Sequence, residues 1–223
     1  MLQPEQIIYE DNHLLVVNKP AGIVSQGASS EEISLIDKAK HYLKKKYNKP
    51  GNVYLGIVSR LDKLTTGVIV MARTSKAAAR LSDAFKNRQI SKTYQALVER
   101  AELPVSHTLT DFLRKNDAAR KMEVCKPEAK NAKKAVLHFQ LVNQCKSVSH
   151  LKINLETGRK HQIRIQLSNY GSPILGDRKY GSCIDLPRSI ALHSATLSLQ
   201  HPTTKEKLTF KAPLPSGWKS WMQ

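Results

Sequence analysis

Apolar and polar positions along the chain change period several times, and each change marks an element. Residues 7–9 and 14–18 are short apolar runs on either side of Glu10-Asp11-Asn12-His13, a pattern that predicts a hairpin with a polar turn. Lys19-Pro20-Ala21-Gly22 then makes a rigid corner, where Lys19 serves equally well as a solvated turn residue or as a phosphate contact. Ser29 followed by Glu32 has the form of a capping box, and Ile36, Ala39 and Leu43 carry a helical stripe that ends in Lys44-Lys45-Lys46. Those lysines suit the negative end of a helix dipole and, equally, a phosphate contact. Residues 54–60 are β-prone and Val68-Ile69-Val70-Met71 reads as a buried strand. The stretch 59–67 between them is therefore expected to be an irregular loop anchored at both ends. Ser75 predicts the N-cap of a second helix with its apolar stripe at Ala78, Leu81 and Phe85.

Residues 90–99 return to period two, so Ile90, Lys92, Tyr94, Ala96 and Val98 share one face, as an ordinary core tyrosine with a lysine beside it would. Between 114 and 134 the composition shifts to eight basic residues against Asp117, Glu123 and Glu128, which predicts an exposed hairpin or loop: a phosphate-binding arm or simply a solvated one. Leu151, Ile153 and Leu155 alternate with Lys152, Asn154 and Glu156 in a further strand. After Thr157-Gly158-Arg159 a helix is expected, with Ile163, Leu167 and Tyr170 inward and Gly171 just past its end. His161, Arg164 and Ser168 then fall on a neighbouring face close to the helix start, suited to a carboxylate or a phosphate. Pro173-Ile174-Leu175-Gly176-Asp177 reads as a tight loop, and 196–199 with 208–211 as a final hairpin.

Charge narrows the partners. Lys and Arg number 36 against 18 Asp and Glu, a formal +18 that repels itself unless a polyanion lies nearby, so nucleic acid is the expected partner. No basic amphipathic helix with bulky anchors, lipidation motif or apolar span points to a membrane. Three scattered cysteines form neither a disulfide framework nor a metal knuckle, and eight histidines show no metal-ligand spacing, so a reduced, cytoplasmic setting without metal is expected. The start lacks the composition of a leader, and the mature protein is expected to be the whole chain. In such a basic chain the carboxylate of Asp62, two residues after Arg60 on the anchored loop, stands out as candidate chemistry.

Taken in order, Asn18-Lys19-Pro20-Ala21-Gly22, Arg60-Leu61-Asp62 with Thr66-Gly67, Lys92-Thr93-Tyr94-Gln95-Ala96, Thr157-Gly158-Arg159-Lys160-His161-Gln162-Ile163-Arg164, Pro173-Ile174-Leu175-Gly176-Asp177, Ala191-Leu192-His193 and Ala212-Pro213-Leu214-Pro215 resemble the RluA-type RNA pseudouridine synthases. The resemblance implies an α+β catalytic fold: a large, mainly antiparallel mixed sheet with flanking helices and a basic cleft. It implies one catalytic domain over 1–223, without the S4-like RNA-binding module of some relatives. Carried over by position, Asp62 is the catalytic aspartate, Arg164 its basic partner and Tyr94 the active-site tyrosine that packs against uracil. Arg60 helps to displace the target nucleotide, Leu192 lines the pocket, and Lys19, Lys92, Arg159 and His161 support RNA or the cleft. Ser59, where relatives usually have histidine, and Lys63-Leu64 depart from the family pattern.

The implied activity is isomerisation of uridine in tRNA, rRNA or both by a monomer that needs no protein partner and no cofactor. Breaking N1–C1′, turning the uracil and joining C5 to C1′ needs no redox change; one carboxylate serves as nucleophile on sugar or base, or as base on a glycal route. The alternative is a non-catalytic basic RNA-binding or ribosome-associated protein, which would share the charge but not need Asp62 and Arg164.

Overall fold

The computed structural model describes residues 2–27, 32–99, 102–145 and 147–222. In chain order the elements are β1 (Ile7–Glu10), β2 (Leu14–Lys19), α1 (Leu35–Lys46), β3 (Gly56–Ile57), β4 (Thr66–Ala72) and α2 (Ser75–Lys86). There follow β5 (Ser91–Val98), β6 (Ser106–Asn116), β7 (Lys121–Cys125), β8 (Lys133–Cys145) and β9 (Val148–Leu155), then α3 (Gln162–Asn169), β10 (Leu192–Gln200) and β11 (Lys207–Lys211). Two compact units result: Met1–Lys92 with Ser194–Leu214, and Thr93–His193 with Pro215–Gln223.

In the first unit the expected opening hairpin forms because Asp11 closes its turn, its Oδ1 accepting the N–H groups of His13 (2.7 Å) and Leu14 (2.6 Å). Strand β2 pairs antiparallel with β4 from Leu14↔Ala72 to Lys19↔Gly67, and β11 pairs with β10. Leu14, Val16, Val68 and Val70 pack with Ala77 and Leu81 of α2, while Leu15, Val17, Ile69 and Met71 are also fully buried. Burial on both faces explains why these strands read as continuous apolar runs. Gly67 has φ +108, and a Cβ there would lie 2.2 Å from the Ser194 carbonyl oxygen, so glycine is required by conformation and by close main-chain approach.

Three local expectations change here. Helix α1 is capped by Ser34, whose side chain and Asp37 form the capping box; Ser29 lies outside the described residues. Helix α2 is capped by Thr74 rather than Ser75, its hydroxyl accepting the Ala77 N–H. The strand expected over 54–60 shrinks to two residues, Gly56 and Ile57, which pair with Ala72 and Met71 of β4.

The second unit carries strand order β5-β9-β8-β6-β7, and its pairings are antiparallel. Leu113, Met122 and Ala135 pack with Tyr180 on the inner side of the β6–β7 hairpin, while Lys115, Arg120, Lys121, Lys126, Lys130, Lys133 and Lys134 are exposed. The basic stretch is thus an exposed hairpin with one packed face. Helix α3 ends in a Schellman motif: Ser172 N–H bonds Leu167 C=O (2.9 Å), Gly171 N–H bonds Ser168 C=O (3.0 Å), and Gly171 has φ +80. Mainly antiparallel sheet with a few helices is the α+β class that the sequence implies. No helix among the described residues is long and apolar enough to cross a membrane.

Candidate active site

In the first unit, Asp62 is half-buried on the loop between β3 and β4, and the main chain around it is fastened at successive residues. Ser25, itself buried, holds Leu61 from both sides: its hydroxyl donates to the Leu61 carbonyl (2.8 Å) and accepts the Leu61 N–H (3.2 Å). The Asp62 carbonyl accepts the Thr65 N–H (3.1 Å), and the Lys63 carbonyl accepts the Gly22 N–H (2.9 Å) and Lys19 Nζ (3.1 Å). Lys19 Nζ also donates to Pro20 C=O (2.9 Å). The corner at 19–22, which sequence presents as a turn, therefore acts as a brace for the Asp62 loop.

Lys19 is completely buried, and the corner folds its side chain back onto two carbonyls. Burial pushes its ammonium down to about 8, and the negative charge of Asp62 acts in the opposite sense. Arg60 is exposed. Lys92 is partly buried with Nζ 4.5 Å from the Phe85 ring centroid, and burial pushes it down to about 8.

The second unit holds Tyr94, Arg159, His161, Arg164 and Leu192. Tyr94 is buried on β5 opposite Ile153, and Leu192 is buried at the start of β10. Arg159 is exposed and donates from Nε to the Lys134 carbonyl (3.0 Å). His161 begins α3 in the left-handed conformation, φ +53.

Arg164 is 5% exposed and forms a bidentate pair with Asp177, which is 1% exposed: Nε to Oδ2 at 2.6 Å and Nη2 to Oδ1 at 2.8 Å. The face shared by His161, Arg164 and Ser168 exists as the spacing predicts, and Tyr180 contacts all three residues. Tyr180 Oη lies 2.8 Å from His161 Nδ1, the Arg164 guanidinium carbon lies 4.9 Å from its ring centroid, and Ser168 Oγ donates to its carbonyl (2.6 Å). Sequence reasoning assigned no role to Ser25 or Tyr180 and gave Asp177 only a place in a loop. For Asp177 a signal was present: an acid closing the apolar run Pro173-Ile174-Leu175-Gly176 in a basic chain is as conspicuous as Asp62.

The family model described as RNA pseudouridylate synthase matches residues 13–169. Ribosomal large subunit pseudouridine synthase D of Zymomonas mobilis is 33% identical, with 95% of this chain and 70% of the relative covered. The protein of that name from Pseudomonas aeruginosa is 32% identical, with 96% and 69% covered. Among solved structures, human RNA Pseudouridylate Synthase Domain Containing 4 matches with TM-score 0.78 and 27% identity, covering 95% of this chain and 89% of that one. The fold, the ordered motifs and relatives matched over nearly the whole chain converge: the chain belongs to the RNA pseudouridylate synthase family.

Proposed function

We propose that this RNA pseudouridine synthase isomerises uridine in ribosomal RNA with Asp62 as the acting carboxylate, Arg164 as its cationic partner and Tyr94 as the surface against which the base lies. Relatives named for the large ribosomal subunit support the choice of RNA. The proposal treats both units as one catalytic domain, working as a cytoplasmic monomer without metal or cofactor.

The observation that carries the role of Asp62 is its setting. A half-buried carboxylate sits on main chain fastened at 61, 62 and 63, and its charge is felt by the buried ammonium of Lys19. Such fixing holds a reacting group in place before substrate arrives, which lowers the entropy lost on reaching the transition state. Arg60, exposed two residues earlier, is suited to contact RNA where the target nucleotide leaves the stack. Tyr94 offers a flat side chain with few rotors. One carboxylate suffices for attack at C1′, for attack on the base, or for proton removal on the glycal route.

Joining C5 to C1′ expels the hydrogen on C5, so release of tritium from C5-labelled uridine in ribosomal RNA measures the reaction. Asp62→Asn is expected to reduce release to background while RNA affinity persists. Turnover retained in that variant would remove Asp62 from the centre.

A further inference from the structure

Arg164 owes its orientation to a short turn outside its own helix. At residues 177–180, Asp177 grips one edge of the guanidinium through Nε and Nη2, and the Tyr180 ring lies against it with the centroid 4.9 Å from the guanidinium carbon. The guanidinium is planar and rigid, so fixing one edge fixes the direction of its remaining N–H groups. Net stability gives little reason for such a pair, because desolvation of two buried charges offsets most of their attraction.

The same turn also reaches the basic hairpin. Lys179 Nζ donates to the Arg120 carbonyl at the hairpin tip (2.6 Å), and Tyr180 Oη accepts the Met122 N–H of β7 (3.0 Å). Strand β7 ends its unit's strand order, so this hydroxyl caps a main-chain donor on an edge. Around the tip the acids are paired, Glu123 with Arg114 and Asn116, and Asp117 with Lys115, while Arg120, Lys121 and Lys126 are exposed.

We infer that residues 177–180 form a positioning strap: Asp177 and Tyr180 orient Arg164, and Lys179 and Tyr180 tie that orientation to the cationic hairpin that draws in RNA. The inference rests on the proposed catalytic role of Arg164. RNA seated on the hairpin bears on the strap, and the strap bears on the guanidinium.

The test is a double-mutant cycle in single-turnover pseudouridine formation at saturating ribosomal RNA, with RNA affinity measured alongside. Asp177→Asn is expected to slow the reaction between about tenfold and a hundredfold, the scale of a misplaced catalytic group, with affinity changed by less than about twofold. Arg164→Lys keeps the charge but removes the fork, and in that background Asp177→Asn should have no further effect. Tyr180→Phe, which keeps the ring and removes the hydroxyl, should slow the reaction in the same Arg164-dependent way, and carries the test if Asp177→Asn does not fold. Slowing that multiplies with that of Arg164→Lys marks a merely structural role and overturns the strap. A slow Arg164→Lys beside a Tyr180→Phe and an Asp177→Asn of wild-type rate also overturns it, leaving Arg164 in place. A wild-type rate for Arg164→Lys instead removes the catalytic reading of Arg164, and the strap's role with it.

Discussion

Replacing Gly67 by alanine tests whether the start of β4 is set by main-chain approach. At φ +108 an L side chain is strained by about 1–3 kcal/mol. The added Cβ would meet Ser194 O at 2.2 Å and Ser194 N and C at 2.7 Å, whereas ordinary contact begins near 3.4 Å. Those atoms belong to the main chain of β10 and cannot swing aside as a side-chain tip would, so the strand has to retreat by about an ångström. Overpacking of this kind typically destabilises by about 1–3 kcal/mol more. The sum, about 4 kcal/mol, is a large fraction of the roughly 5–15 kcal/mol that holds a domain together. For a chain of this size it should lower the melting temperature by about 10 °C, read by calorimetry and by denaturant titration. Gly158→Ala is the control: a Cβ there meets nothing within 4 Å, and stability should be unchanged or raised by up to about 1 kcal/mol. A Gly67→Ala protein within about 0.5 kcal/mol of wild type would refute the close-approach account.

Two further outcomes concern charge. Lys19 titrates at about 8 when folded and at 10.5 otherwise, because burial disfavours its charged form. The unfolded chain keeps that proton to higher pH, so this group's contribution to stability is lost as pH falls through about 8 and is recovered toward 10.5, by up to roughly 3 kcal/mol. Wild type should therefore gain on Lys19→Met by that order between neutral pH and about pH 10 in denaturant titrations; parallel curves would contradict it. Replacing Lys121 and Lys133, both exposed, with alanine should weaken RNA binding and flatten its dependence on salt by about one unit of logarithmic slope for each phosphate they neutralise. An unchanged slope would take the hairpin off the RNA path.

Much of the fold is legible where a pattern and its stop signal agree. Residues 163–171 supply an apolar stripe and a terminal glycine, and the Schellman motif follows. Residues 59–67 lie between β-prone and apolar runs, and an irregular loop follows. Legibility fails where signals compete locally: Ser29 and Ser34 each precede an acid by three residues, and the decision falls to Ser34 because Leu35, Ile36 and Ala39 are the positions that the core buries. It fails again where the deciding partner is far away in sequence. Nothing near Lys19 announces that the carbonyl at Lys63 will bury it, and nothing near Arg164 identifies Asp177 as the carboxylate that grips it. Periodicity reports which face a residue takes; it is silent on which distant polar group completes it.

The fastening of the Asp62 loop has a consequence for how this site can diverge. Its ties from Gly22, Lys19 and Thr65, and those of Leu61 to Ser25, all end on main-chain atoms of the loop, which any residue but proline provides. Side chains at Ser59, Lys63 and Leu64 can therefore change while the carboxylate stays where it is. Lys63 shows the principle in place: its carbonyl serves the brace, while its side chain is exposed and pairs with Glu32 (2.6 Å). Loop geometry and surface identity are written in different atoms of the same residue, so one can change without disturbing the other.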